Sequence, residues 1–219
     1  MTAADGDDAW AVSEARLRAA GALRSLGHAM VGHHIDDAFF ERVVESIDGV
    51  LPGIEAAAPR RRPADAMKRQ MFEQVVDDGA RIDHFPDCVV SGHANPLGIA
   101  IVVHREGDDA VARVTLGAAF EGAPGRAHGG VVAAIFDDVL GAILSVLGTP
   151  AFTATLRVDY LAPTPMGVEL EFRARLRERD GRKLWIEGEA LHAGERIATA
   201  EGLFIAIDLE KLRAQQELG

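Results

Sequence analysis

Gly125-Arg-Ala-His-Gly-Gly-Val-Val-Ala-Ala-Ile-Phe-Asp-Asp-Val-Leu-Gly-Ala-Ile-Leu-Ser-Val-Leu-Gly148 holds the most apolar run of the chain, Val131 to Leu147. At 100° per residue, Val132, Ile135, Phe136, Val139, Leu140, Ile143, Val146 and Leu147 fall on one broad face. That pattern predicts a single long helix buried against a sheet. Gly130, Ala134, Gly141 and Ser145 gather on the opposite side, where another backbone, a subunit or a ligand can come close. Asp137 and Asp138 flank this strip of small residues, one on each edge, and the period does not choose between them. At the helix start, His128-Gly129-Gly130 leaves backbone N–H groups open to an oxygen that is gaining negative charge. A carboxylate two turns further on can then act as base or nucleophile, a combination suited to attack on a carbonyl. On local grounds His128 reads equally as a side chain bonded to its own loop, and either aspartate as a solvated one.

Outward from the helix the period changes to two. Ile99–His104 and Ala110–Leu116 read as strands around the turn Gly107-Asp108-Asp109. After the helix, Phe152, Ala154, Leu156, Val158 and Tyr160 alternate with Thr153, Thr155, Arg157 and Asp159. Val168, Leu170, Phe172, Ala174 and Leu176 alternate with Glu169, Glu171, Arg173, Arg175 and Arg177. Asp180-Gly181 is a hairpin signal, and Leu184–His192 and Ile197–Ile207 complete the run around Gly194. Two strands, a helix, then about four strands in a meander predict an α+β domain with a largely antiparallel sheet.

Residues 1–80 read instead as a helical extension, with the sheet domain spanning 81–210. A helix is expected from Trp10 to about Met30. Another carries Phe39, Phe40, Val43, Val44, Ile47 and Leu51, capped by Asp36 or Asp37 and stopped by Pro52-Gly53. Arg60-Arg61-Arg62-Pro63 reads as a linker into a helix carrying Met67, Met71, Val75 and Val76, with Gly79 as its stop.

With 34 acidic against 23 basic side chains, the net charge is −11, which argues against nucleic acid as a partner. Cys88 is the only cysteine, so no internal disulfide and no thiolate metal cluster can form. Nothing around Cys88 marks it as a nucleophile. His28, His33 and His34 lack acidic partners at ligand spacing, so no metal is expected. The acidic N-terminus lacks a signal-peptide profile, and Val131–Leu147 is short and broken by two aspartates. The expectation is a soluble, cytoplasmic protein with no membrane partner.

The chain resembles the hot-dog fold acyl-thioester hydrolases, and among them the PaaI-type thioesterases and the related mitochondrial acyl-coenzyme A thioesterases. The residues that carry the resemblance are Phe120-Glu-Gly-Ala-Pro-Gly-Arg-Ala-His-Gly-Gly130 with Asp137. Asn95-Pro96-Leu97-Gly98, Thr153–Pro163, Asp180–Lys183 and Ala198–Phe204 support it, so it covers about residues 90 to 208. It implies a hot-dog fold: an antiparallel sheet of about five to six strands wrapped around one long helix. It also implies a homodimer or homotetramer with the active site at the subunit interface. By the same match Asp137 is the catalytic carboxylate, the Gly129 N–H meets the thioester oxygen, and His128 orients the turn or the attacking water. Thr153 places the water or the carboxylate. Asn95, at a position that is often polar, and Gly130 are candidate substrate-binding residues. The substrate implied is an acyl-CoA or another acyl thioester, with no cofactor. Arg126, Arg157 and the Arg60–Arg62 cluster are candidates for contacts to coenzyme A phosphates. Two other functions fit the same fold: a non-hydrolytic acyl-CoA-binding module, and a hydratase or dehydratase acting on an acyl thioester.

Overall fold

The structure, a computed structural model, describes residues 12–60, 75–83 and 85–207. Two helices come first, α1 (Glu14–Gly32) and α2 (Asp37–Glu55). Strands β1 (Arg81–Ile82), β2 (Val102–Glu106) and β3 (Asp109–Thr115) follow, then a 3-10 turn at Ala118–Phe120 and the short β4 (Glu121–Ala123) and β5 (Arg126–Ala127). The long helix is α3 (Gly129–Leu147). Strands β6 (Ala151–Tyr160), β7 (Glu169–Asp180), β8 (Lys183–His192) and β9 (Glu195–Ala206) close the domain.

One seven-stranded antiparallel sheet runs in the order β1-β2-β3-β7-β8-β9-β6, and α3 lies across one face of it. This is the α+β arrangement with an antiparallel sheet that the helix and strand periods predict, and the hot-dog fold that the resemblance implies, with the two-residue β1 lengthening the sheet. The order corrects one expectation. The four strands after α3 do not form a continuous meander, because only β7, β8 and β9 do. β7 returns beside β3, and β6 crosses to the far edge and pairs with β9 alone.

Apolar burial explains why α3 sits where it does. Val132, Ile135, Phe136, Val139, Leu140 and Ile143 are each at most 1% exposed and meet Leu170, Phe172, Leu184, Ile186 and Phe204 of the sheet. Phe136 and Phe172 pack edge to face with centroids 5.1 Å apart. Leu140 rests where β8 and β9 carry Gly188 and Gly202: a Cβ at Gly188 would stand 2.8 Å from Leu140 Cδ1, and one at Gly202 2.9 Å from Cδ2. By length and composition α3 could cross a membrane, yet it is the core helix of this sheet. Gly148 ends it in the left-handed conformation, φ 56°, the usual glycine stop. Ser145, placed by period on the small-residue strip, is buried instead.

The N-terminal helices differ in how they are held. α1 packs on the 3-10 turn: His28 stacks edge-on against Phe120 at 4.9 Å, and its Nδ1 accepts from the Ala119 N–H at 3.1 Å. Arg24 donates to the carbonyls of His93 and Asn95 at 3.0 and 2.7 Å. α2 begins at Asp36, whose carboxylate accepts from the Phe39 N–H at 2.7 Å, as expected. Its expected stop does not hold. Pro52 lies inside the last turn and α2 runs on to Glu55, with the Ala56 N–H bonded back to the Pro52 carbonyl. None of its residues is buried. The helix expected around Met67 and Met71 lies outside the described residues. Val75 and Val76, its expected last turn, are not helical.

Candidate active site

The turn that opens α3 is built by one histidine. His128 is the N-cap, with φ −64° and ψ 129°, and its Nδ1 accepts the Gly130 N–H at 3.0 Å. Its carbonyl takes the first helical bonds, from the N–H groups of Val131 and Val132 at 2.9 and 3.2 Å. Its own N–H donates to the Phe120 carbonyl at 2.9 Å, so the turn hangs on the segment that α1 braces. Glycine is required at 122 for this approach, since a Cβ there would sit 2.7 Å from His128 Cα. Of the two amides that the sequence leaves open, only one stays so. Gly130 is committed to His128, and the Gly129 N–H has no acceptor among the described residues. Tyr160, at the end of β6, donates its hydroxyl to the Gly129 carbonyl at 2.7 Å.

An open cleft of about 650 Å³ faces this turn, lined by Gly122, Arg126, His128, Gly129, Tyr160 and Leu161 among others. Arg126 is exposed at its rim, and its backbone bridges to Pro165.

Two turns along α3, the environments of the paired aspartates part. Asp137 is exposed and accepts the Thr153 hydroxyl at 3.1 Å. Asp138 is half-buried and accepts from the Cys88 thiol at 3.4 Å. The Thr153 contact depends on an irregularity in β6. Thr153 faces Phe204 and Thr155 faces Leu203, so two residues of β6 oppose one of β9. That bulge turns Thr153 onto the α3 face, although strict alternation assigns it to the same side as Arg157 and Asp159.

The remaining expected residues lie elsewhere. Arg157 pairs with Asp159 at 3.1 Å on the outer face of the sheet, in a groove shared with Arg173, Arg175 and Glu187. Asn95 is folded into its own loop: its amide donates to the Asp87 carbonyl at 3.2 Å, and its Oδ1 accepts the Leu97 N–H at 2.9 Å. The structure thus brings together His128, Gly129, Gly130 and Arg126 in one place and Asp137 with Thr153 in another. Neither Asn95 nor Arg157 joins either group. Tyr160 is the site residue that sequence reasoning missed as an actor, although it stood inside the quoted Thr153–Pro163 motif. Electrostatic perturbation concentrates away from the site, on the outer face. There Arg173 spans Asp109, Glu171 and Glu106, and the hydrogen bond from Arg113 holds the Glu106 carboxyl below its ordinary range.

Asp137 lies eight positions after Gly129. At 1.5 Å of rise per residue they stand roughly 12 Å apart along the helix axis. That is too far for both to act on one carbonyl within a single chain.

Comparison with known proteins agrees with this architecture. Residues 124–199 match the family described as the Thioesterase superfamily, a span that includes the α3 turn, Asp137 and Thr153. The acyl-coenzyme A thioesterase THEM4 of Bos taurus is 31% identical over 124 residues, which are 55% of this chain and 51% of that one. The Mus musculus protein of the same name is 33% identical over 93 residues, 42% of this chain and 40% of its own. The chain therefore spans about half the length of the curated relatives it matches. A crystal structure described as a thioesterase superfamily protein superposes over 94% of both chains, with 28% identity and a TM-score of 0.74. Its coverage takes in the N-terminal helices as well as the sheet domain. On these grounds the chain has the hot-dog fold, and its residues 124–199 carry the match to the Thioesterase superfamily.

Proposed function

We infer that this protein hydrolyses acyl thioesters, with acyl-CoA as the substrate class, at sites made by two copies of the chain. The observation that carries the reading is the Thr153–Asp137 hydrogen bond. It singles out one exposed carboxylate on a helix whose apolar face is buried against the sheet. The N-terminus of the same helix offers the free Gly129 N–H beside a cleft. Pairing two such helices antiparallel brings one chain's Asp137 to the other chain's Gly129. The exposed edge of β6, with Phe152 and Tyr160 each 52% accessible, supplies an apolar surface for that pairing.

The chemistry then follows from the residues. The thioester oxygen lodges on the Gly129 N–H, and negative charge builds on it as the carbonyl carbon is attacked. One such donor typically contributes about 10²–10³ in rate. The Asp137 carboxylate either takes the proton of the attacking water or adds to the carbon itself, giving an anhydride that water then opens. Both routes expel the thiolate, and both end in free acid and thiol. Thr153 fixes the Asp137 rotamer, and Arg126 at the rim of the cleft suits the phosphates of coenzyme A.

Asp137→Asn tests the assignment. The variant should keep its thermal melting profile and lose at least about 10²-fold in kcat for thiol release from acyl-CoA. Asp138→Asn should retain turnover. Near-normal hydrolysis by a folded Asp137→Asn protein overturns the reading. Tight acyl-CoA binding without thiol release by the unaltered protein would favour a binding module instead.

A further inference from the structure

A continuous hydrogen-bond chain runs behind the α3 turn. Tyr160 Oη donates to the Gly129 carbonyl at 2.7 Å, and the N–H of the same peptide group, on Gly130, donates to His128 Nδ1 at 3.0 Å. Both bonds load one amide in the direction that polarises it further. A hydroxyl on its oxygen makes its N–H a stronger donor, and hydrogen bonds linked in this sense reinforce one another. The far end of the chain fixes a protonation pattern. A ring nitrogen that accepts an N–H carries no proton, so neutral His128 holds its proton on Nε2.

We propose that Tyr160 is a positioning residue that acts through the Gly129–Gly130 peptide to lock His128 as the Nε2–H tautomer, so that His128 meets the substrate as a hydrogen-bond donor. This deepens the thioesterase reading and rests on it for its consequence. Beside the Gly129 N–H stands a second donor, and the proton acceptor of the proposed site is Asp137. His128 is then excluded as the base that activates water. It donates to the thioester oxygen or holds the water by its lone pair while the carboxylate takes the proton.

The geometry of β6 explains why a tyrosine can do this from 31 residues away. The bulge after Thr153 restores Leu156, Val158 and Tyr160 to the α3 face, and Tyr160 stands opposite the fully buried Ala198. Its ring packs close to the turn, with the hydroxyl 3.3 Å from where a Gly129 Cβ would be. Tyr160→Phe removes the hydroxyl and keeps the ring.

The test has two independent arms. In the full-length protein labelled with ¹⁵N-histidine, the ring nitrogen shifts of His128 report its tautomer without any need for turnover. The unaltered protein should show the Nε2–H form alone, and Tyr160→Phe a mixture of both tautomers. In steady-state hydrolysis, Tyr160→Phe should lower kcat about three- to tenfold, the usual worth of one neutral hydrogen bond, and leave KM within twofold. Combined with His128→Ala, it should cost nothing further, because its effect passes through that ring. A Nδ1–H tautomer in the unaltered protein, an unchanged tautomer in Tyr160→Phe, or losses that multiply in the double variant would each overturn the proposal. If the unaltered protein hydrolyses no thioester, the functional reading fails while the nitrogen shifts still decide the relay.

Discussion

Asp137 and Asp138 are chemically identical neighbours, and what separates them is 100° of helix. That rotation sends one carboxylate toward Thr153 and leaves it exposed, and sends the other toward Cys88 in a half-buried setting. Thr153 is therefore the residue whose change should be most informative beside Asp137 itself. Thr153→Val keeps the shape and β-branching of the side chain and deletes only the hydroxyl. It should reduce kcat about three- to tenfold through a freer Asp137 rotamer, with little change in melting temperature, and Thr153→Ser should restore most of the rate. An equal loss in both variants would mean that the hydroxyl is not what matters. This contact was half legible beforehand. The threonine was visible, but alternation placed it on the wrong face, because a bulge adds one residue and reverses every side chain that precedes it. No local composition marked that bulge. The tie between the two aspartates was likewise beyond periodicity, since both lie on edges of the same strip. His128 was legible as a helix-opening residue, but which amide it would occupy depended on its rotamer.

At the scale of elements, α3 was the most readable part of the chain because its face pattern and the sheet's alternation demand each other. Leu170, Phe172 and Ala174 point inward and Arg173 and Arg175 outward, as the period of two requires. Less readable were the places where a local signal met a weak constraint. Pro52 is a strong breaker in a helix interior, but near the end of α2 few carbonyl bonds remain to be lost, and the last turn persists around it. β6 reads as the start of a meander, yet the edge beside β3 is taken by β7, and non-local pairing of that sort leaves no mark in the strand itself. The glycines of β8 and β9 carry their meaning only in three dimensions. Gly202 lies opposite Ile186 and under Leu140, and a Cβ there would come within 2.7 Å of the Phe204 ring as well as 2.9 Å from Leu140 Cδ2. Both neighbours are fully buried and cannot give way cheaply. Gly202→Ala should accordingly destabilise the fold by about 1–3 kcal/mol, read as a lower urea midpoint with unchanged slope. Gly49→Ala, on the exposed helix α2 with nothing within 4 Å, should stabilise or be neutral, which makes it the control for glycine replacement as such.

For the whole molecule the decisive quantity is the roughly 12 Å of helix between Gly129 and Asp137. On the proposed mechanism the two groups act together only where each site draws its amide from one copy and its carboxylate from the other. Gly129→Pro removes the amide hydrogen and adds a ring whose Cβ stands 3.3 Å from the Tyr160 hydroxyl. Proline is at home in the first helical position, and His128 already has the extended conformation that a residue before proline adopts. The variant should fold, lose about 10²–10³ in kcat, and resemble Asp137→Asn in being nearly inactive by itself. Co-expressing the two variants with different tags and isolating the mixed dimer then separates the arrangements. If the groups meet across the interface, one site of the mixed dimer is intact and the other carries both defects, so about half the wild-type turnover per dimer returns. If each chain serves its own site, every site keeps one defect and the mixed dimer stays as inactive as its parents. Recovery of activity requires stable pairing of copies as well as convergence of the two groups. A mixed dimer that forms and remains inactive would therefore remove the composite site and leave the exposed β6 edge with some other role.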